Sequence, residues 1–159
     1  MIINPTPQTP GVFNNMWITS LTLTQPDPNF PAPLFEQGYG RFNAVLLPYD
    51  GTHLLATGQK SVIFNKLTDK IAADSVFAQT VTDLLAEAQR QANVTKAIKS
   101  IRMAAPDPTK PVKITALFVD NTKYVIEDAF ALALTDTVFA NVFSNTEIEI
   151  ARLAGLGVS

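Results

Sequence analysis

A chain of 159 residues and 17.3 kDa has room for one compact domain, or for two small units that share a core. With 47% apolar and 16% charged residues it can bury a core, which excludes wholesale disorder, and its low charge suggests that other protein covers part of its surface. The net charge of −2 supplies no drive toward nucleic acid or an anionic membrane, and the lack of cysteine excludes a disulfide framework, a thiolate nucleophile and a cysteine metal site.

Residues 1–15 open the chain as an uncharged arm that Pro5, Pro7 and Pro10 stiffen and Phe13 ends on an apolar anchor. "MIINPTPQTPG" has no basic n-region or apolar h-region, and no stretch approaches the roughly 18–20 apolar residues of a membrane span. The expectation is a protein made and kept in the cytosol, or in a particle assembled there, with no membrane partner.

"WITSLTLT" (17–24) alternates as a half-buried strand, with Trp17, Leu21 and Leu23 on one face and Ser20, Thr22 and Thr24 around Ile18 on the other. "QPDPNFPAPLFEQGYG" (25–40) follows, extended and proline-rich, with Phe30, Leu34 and Phe35 as apolar anchors for a partner, or else as a plain loop. "RFNAVLLPYD" (41–50) and "KSVIFN" (60–65) are the next strands, separated by the Asp50-Gly51 turn signal and a hairpin arm "HLLATG". A helical turn is expected over 66–73. A longer helix starts at the N-cap Asp74 and places Phe77, Val81, Leu84, Leu85, Ala88 and Ala92 at spacings of three and four.

The second half repeats the order. "KAIKSIRM", "VKITALFVD" and "TKYVI" read as strands, with Asp120-Asn121 at a turn, and a helix runs from about Thr137 to Ala154, where Gly155 stops it. "EDAFALALT" fits either a helical turn at 128–135 or a strand extension.

Residues 18–28, "ITSLTLTQPDP", match 98–108, "IKSIRMAAPDP", at five of eleven positions, and 74–92 match 136–154 at seven of nineteen, where composition alone gives about one. The fold class expected is therefore α+β: two tandem three-strand-plus-helix units, 16–94 and 96–158, sharing one core about a pseudo-twofold axis. The strands form one sheet or two.

Pro26-Asp27-Pro28 and Pro106-Asp107-Pro108 each end a strand in a stiff corner, because proline donates no amide and holds its predecessor extended. The aspartates then bond nearby amides as turn residues. A symmetric metal or acid/base pair is the alternative, and it needs the two within a few ångströms.

His53 is the only histidine and reads as an exposed loop residue. No phosphate-binding glycine loop or nucleophile elbow is present, so no catalytic, cofactor-binding or metal residue is assigned. Trp17, Phe35, Tyr39, Phe42 and Tyr49 line a pocket or, at strand spacing, the core. Glu87 with Arg90, and Glu149 with Arg152, read as solvent-side pairs one helical turn apart, whose recurrence could also mark equivalent contact surfaces. From Arg90 to Lys113 six bases face one acid, Asp107; with no interleaved aromatic they read as a solvated strand edge, not a nucleic-acid surface.

"MWITSLTLTQPDPN" followed by "AVLLPYDGTHLL", a strand and an amphipathic helix resembles small structural proteins of tailed-bacteriophage particles over about the first 95 residues. The resemblance implies a virion component of head, neck or tail, made in the host cytoplasm, that works through contacts with other structural proteins and with copies of itself. It implies no active site, no cofactor and no sequence-specific nucleic-acid binding. The alternatives are a small-ligand or adaptor module and an enzyme built on Asp27 and Asp107.

Overall fold

The computed structural model describes residues 2–3, 11, 13 and 15–156; Pro5, Pro7 and Pro10 of the expected arm lie outside them. The architecture is α+β. Strands β2 (Asn15–Thr24), β3 (Arg41–Tyr49), β4 (Lys60–Phe64), β5 (Ile98–Ala104), β6 (Lys113–Phe118) and β7 (Lys123–Ile126) form one antiparallel sheet in the order β4-β3-β2-β5-β6-β7, and β1 (Ile2–Ile3) pairs with β2. Four helices complete the fold: α1 (Leu67–Ala73), α2 (Ser75–Ala92), α3 (Ala129–Thr135) and α4 (Thr137–Leu153). The six strands thus make a single sheet, closed at its centre by β2 against β5.

Alternation along each strand sorts side chains to two faces. The register sets Val62, Ala44, Leu21, Met103, Ile114 and Ile126 in one row across all six strands, and Phe64, Phe42, Leu23, Ile101, Ala116 and Tyr124 in the next. Leu21, Leu23 and Ala44 at the middle of these rows are fully buried. Phe77 of α2 meets the rings of Phe42 and Phe64 edge-on at 5.2 and 5.3 Å. A void of about 40 Å³ bounded by Leu84 and Ala88 of α2, Phe139 and Phe143 of α4, and Leu21, Ile101 and Met103 places both long helices on this one face.

One half-turn of the reading changes. Ile18, expected beside Ser20 and Thr22, is fully buried, as is its neighbour Trp17. The register slips between Ile18 and Ser20, so a β-bulge at Thr19 shifts the phase of everything before it. Trp17 then donates from Nε1 to the Ala105 carbonyl at 2.7 Å and lies 5.0 Å from the Tyr49 ring.

Each helix beyond α1 starts on an aspartate whose carboxylate accepts a backbone amide three residues on: Asp74 from Phe77, Asp128 from Ala131 and Asp136 from Phe139, at 3.0–3.1 Å. The Asp128 cap makes "AFALALT" a helix. At the other ends Asn93 (φ 54°) and Gly155 (φ 74°) adopt the left-handed conformation that closes a last turn.

The two glutamate–arginine pairs are not solvent-side. Glu87 and Glu149 are 6% and 4% exposed, and each bonds the arginine three residues on. Arg90 continues to Asp136 at the start of α4, and Arg152 to Asp74 at the start of α2, so the two helices run antiparallel and tie at both ends. Fixing each arginine between two carboxylates is the reason its glutamate tolerates burial.

Candidate interaction site

The segment 25–40 between β2 and β3 begins at the Pro26-Asp27-Pro28 corner. Asp27 accepts from the Asn29 amide at 2.9 Å and its own amide donates to the Gln37 carbonyl at 2.8 Å, so the corner folds back on its far end. Amides of Phe30, Phe35 and Gly38 donate to the carbonyls of Asp27, Pro31 and Phe35. The loop is therefore ordered by its own backbone. Gly38 is required by contact alone: a Cβ there would lie 2.1 Å from the Ala32 nitrogen.

On this scaffold the apolar anchors point outward. Phe30 is 41%, Phe35 45% and Leu34 80% exposed, and the two rings meet edge-on at 5.5 Å. Phe13, the apolar anchor of the expected arm, is half-buried.

The second corner repeats the local chemistry. Asp107 accepts from the Thr109 amide at 2.9 Å and hydroxyl at 2.7 Å, and with nearby Lys110 these hold its carboxyl below the usual range. Pro106 and Pro108 flank it as Pro26 and Pro28 flank Asp27. The corners do not converge: Thr24 pairs with Ser100 at one end of the β2–β5 ladder and Ser20 with Ala104 at the other, so Asp27 and Asp107 leave from opposite ends of a ladder about 14 Å long. Among the described residues no group of three or more acidic or histidine side chains is placed to hold a metal ion.

Nor do the aromatics of the first half gather in one pocket. Trp17, Phe42 and Tyr49 are core residues, whereas Phe35 is on the surface. A cleft of about 500 Å³ lies instead between the 25–40 loop and the start of β5, and its charged lining is Asp27, Glu36, Arg41 and Lys99.

Asp50, expected only as a turn residue, is an anchor. It is 3% exposed and accepts from the amides of Gly11, Thr52 and His53 at 2.9, 2.9 and 2.6 Å, which hold its carboxyl well below the usual range. His53 itself is exposed, as expected.

Charge is sorted by layer. The strands carry Arg41, Lys60, Lys99, Arg102, Lys113 and Lys123 and no acid. The helices with their three capping aspartates carry eight carboxylates against Lys70, Arg90 and Arg152. Of the bases expected to guard a strand edge, Lys99, Arg102 and Lys113 lie on inner strands; the edges are β4 and β7. No helix among the described residues is long and apolar enough to cross a membrane. Comparison with protein-family models, with curated proteins and with solved structures finds no match.

Proposed function

We propose that this chain is a non-enzymatic structural subunit of a large particle, of the kind that tailed-phage virions contain, and that it is built from two copies of one unit about a pseudo-twofold axis. The observation that carries the assembly reading is the 25–40 loop, whose backbone bonds fix Phe30, Leu34 and Phe35 outward. An ordered apolar projection is a contact device, because its entropy is lost on folding and not on docking.

Several bonds support the internal axis by occurring twice. Residues of β2 and β5 correspond at a spacing of 80, and Thr22 pairs with its own counterpart Arg102. The Gln25 amide bonds the Lys99 carbonyl at 3.0 Å, and the Ala105 amide bonds the Thr19 carbonyl at 2.8 Å: one bond, written from each half. The Arg90–Asp136 and Arg152–Asp74 bridges exchange in the same way at a spacing of 62. The strands β3 and β6 correspond at 72. The first copy therefore holds eight more residues in its Pro-Asp-Pro loop, where the exposed anchors are, and ten more in its hairpin.

The cleft beside Arg41 and Lys99 favours one second reading, a small-ligand adaptor. Sedimentation of a native lysate through a density gradient, with mass spectrometry of each fraction, separates the two. A subunit travels with a large particle at a fixed ratio to its neighbours; an adaptor stays near the top.

A further inference from the structure

The sheet has a face that no helix covers. Its middle row, read across the strands, is Ile63, Asn43, Thr22, Arg102, Thr115 and Val125. Arg41 and Lys123 stand in the row on one side and Lys113 in the row on the other, among Ser20, Thr24 and Ser100. The residues of these rows are half-buried or exposed, and none is acidic. Arg41, Arg102 and Lys123 take no salt bridge among the described residues, and Lys113 meets only Glu127, at 3.9 Å.

The opposite surface of the same molecule has the opposite balance. The cations of the helices are spent on helix carboxylates, Lys70 of α1 and Arg152 of α4 on Asp74 and Arg90 of α2 on Asp136. Asp69 of α1, a helix that packs on α2, and Asp83 of α2 itself take no cation among the described residues. Val76 and Val138, the second residues of the two long helices, are 56% and 51% exposed.

We propose that the open sheet face of one copy seats on the α2–α4 layer of the next, so that a partner of this chain is a second copy of itself in a head-to-tail stack. The inference rests on the assembly and pseudo-twofold reading above. Charge complementarity commits the face to this occupant, since both halves of the match occur on one chain. Geometry agrees with it. Ile63 and Val125 correspond across the pseudo-axis and stand five strand spacings apart, about 24 Å. Val76 and Val138 correspond at the same spacing of 62 and sit at opposite ends of an antiparallel pair of helices, each about 25–27 Å long. A twofold-patterned face on a twofold-patterned layer, stacked along the shared axis, engages both halves at once. The joined surfaces differ, so the contact is heterologous and continues from copy to copy.

Analytical ultracentrifugation of the purified full-length protein tests this across a concentration series at low and high salt. The wild type should form species larger than dimers at low salt and dissociate as salt screens the contact. Arg41→Glu with Arg102→Glu, and separately Asp69→Lys with Asp83→Lys, should each weaken self-association about tenfold or more. An equimolar mixture of the two variants should recover association that neither shows alone, because the native helix layer of one meets the native sheet face of the other and the two reversed faces are again opposite in charge. If charge reversal prevents folding, Arg41→Ser with Arg102→Ser replaces it, and the wild-type salt series needs no variant. Wild type that stays monomeric at every salt concentration overturns the stack, as does a mixture that fails to associate. Salt-sensitive binding of duplex DNA, lost in Arg41→Glu with Arg102→Glu while no self-association occurs, also overturns it and gives the face to a polyanion. A purified monomer that still travels with a particle in the lysate removes the stack and leaves the assembly function in place.

Discussion

Arg90 donates from Nη2 to both carboxylate oxygens of Asp136, at 2.8 and 2.9 Å, and so joins the last turn of α2 to the first residue before α4. Arg152 donates from Nη2 to one oxygen of Asp74 at 2.7 Å and so joins the last turn of α4 to the residue before α2. Arg90→Met and Arg152→Met each leave a buried glutamate without its cation, which is more costly than losing an exposed pair. Thermal unfolding should show Tm lowered by several degrees in both, by similar amounts. A large loss in one and none in the other would contradict the equivalence of the two clamps.

The clamps also set an acid response. The Arg152 guanidinium, then the Phe77 amide and Lys70, hold Asp74 well below the usual carboxylate range. The Phe139 amide, then Arg90 and Gln91, hold Asp136 down to about 2. A lowered native pKa means that the unfolded chain binds protons first as pH falls. The stabilisation is present in full above the ordinary aspartate value of about 3.9 and is lost as pH drops toward about 2. Tm of the wild type should fall through that window, and Tm of the double variant Arg90→Met with Arg152→Met should fall less. Parallel profiles would show that the arginines do not contribute.

Trp17→Phe keeps the ring in the core but deletes the indole N–H, leaving the buried Ala105 carbonyl unpaired. The expected loss is about 1–3 kcal/mol in urea unfolding. Far-UV circular dichroism is the appropriate probe, since the chain has one tryptophan. An unchanged midpoint would mean that the bond adds nothing to stability.

Gly38→Ala separates the loop from the fold. The added methyl meets backbone on three sides, the nearest atom at 2.1 Å, so residues 29–38 must rearrange while the helix-covered rows stay as they are. Limited proteolysis should cut this loop faster, with little change in Tm. Leu23→Ala, which empties a fully buried position, should cost about 2–5 kcal/mol instead.

Much of this fold is legible in the residues, since the strands alternate and Asp74 and Asp136 cap helices whose apolar spacing is regular. The bulge at Thr19 is not, because it arises from how β2 meets β3 and not from any turn residue. Whether six strands make one sheet depends on β2 pairing with β5 across some eighty residues, a contact no local pattern specifies. Phe30, Leu34 and Phe35 were readable as anchors because they interrupt a proline-rich run without helix or strand spacing. The Glu87–Arg90 and Glu149–Arg152 pairs left a trace in their recurrence, but the partners Asp136 and Asp74 come from the other half of the chain. The role of Asp50 depends on Gly11, thirty-nine residues earlier. The sorting of charge by layer shows only after the bases are assigned to inner strands.

The assembly account stands most directly on one density-gradient experiment, comparing the wild type with Phe30→Ser, Leu34→Ser, Phe35→Ser in the same native lysate. The account predicts that the wild type co-sediments with a large particle at a fixed ratio and that the triple variant, with unchanged Tm, shifts to the top of the gradient. Wild-type protein found only near its own 17.3 kDa would contradict it.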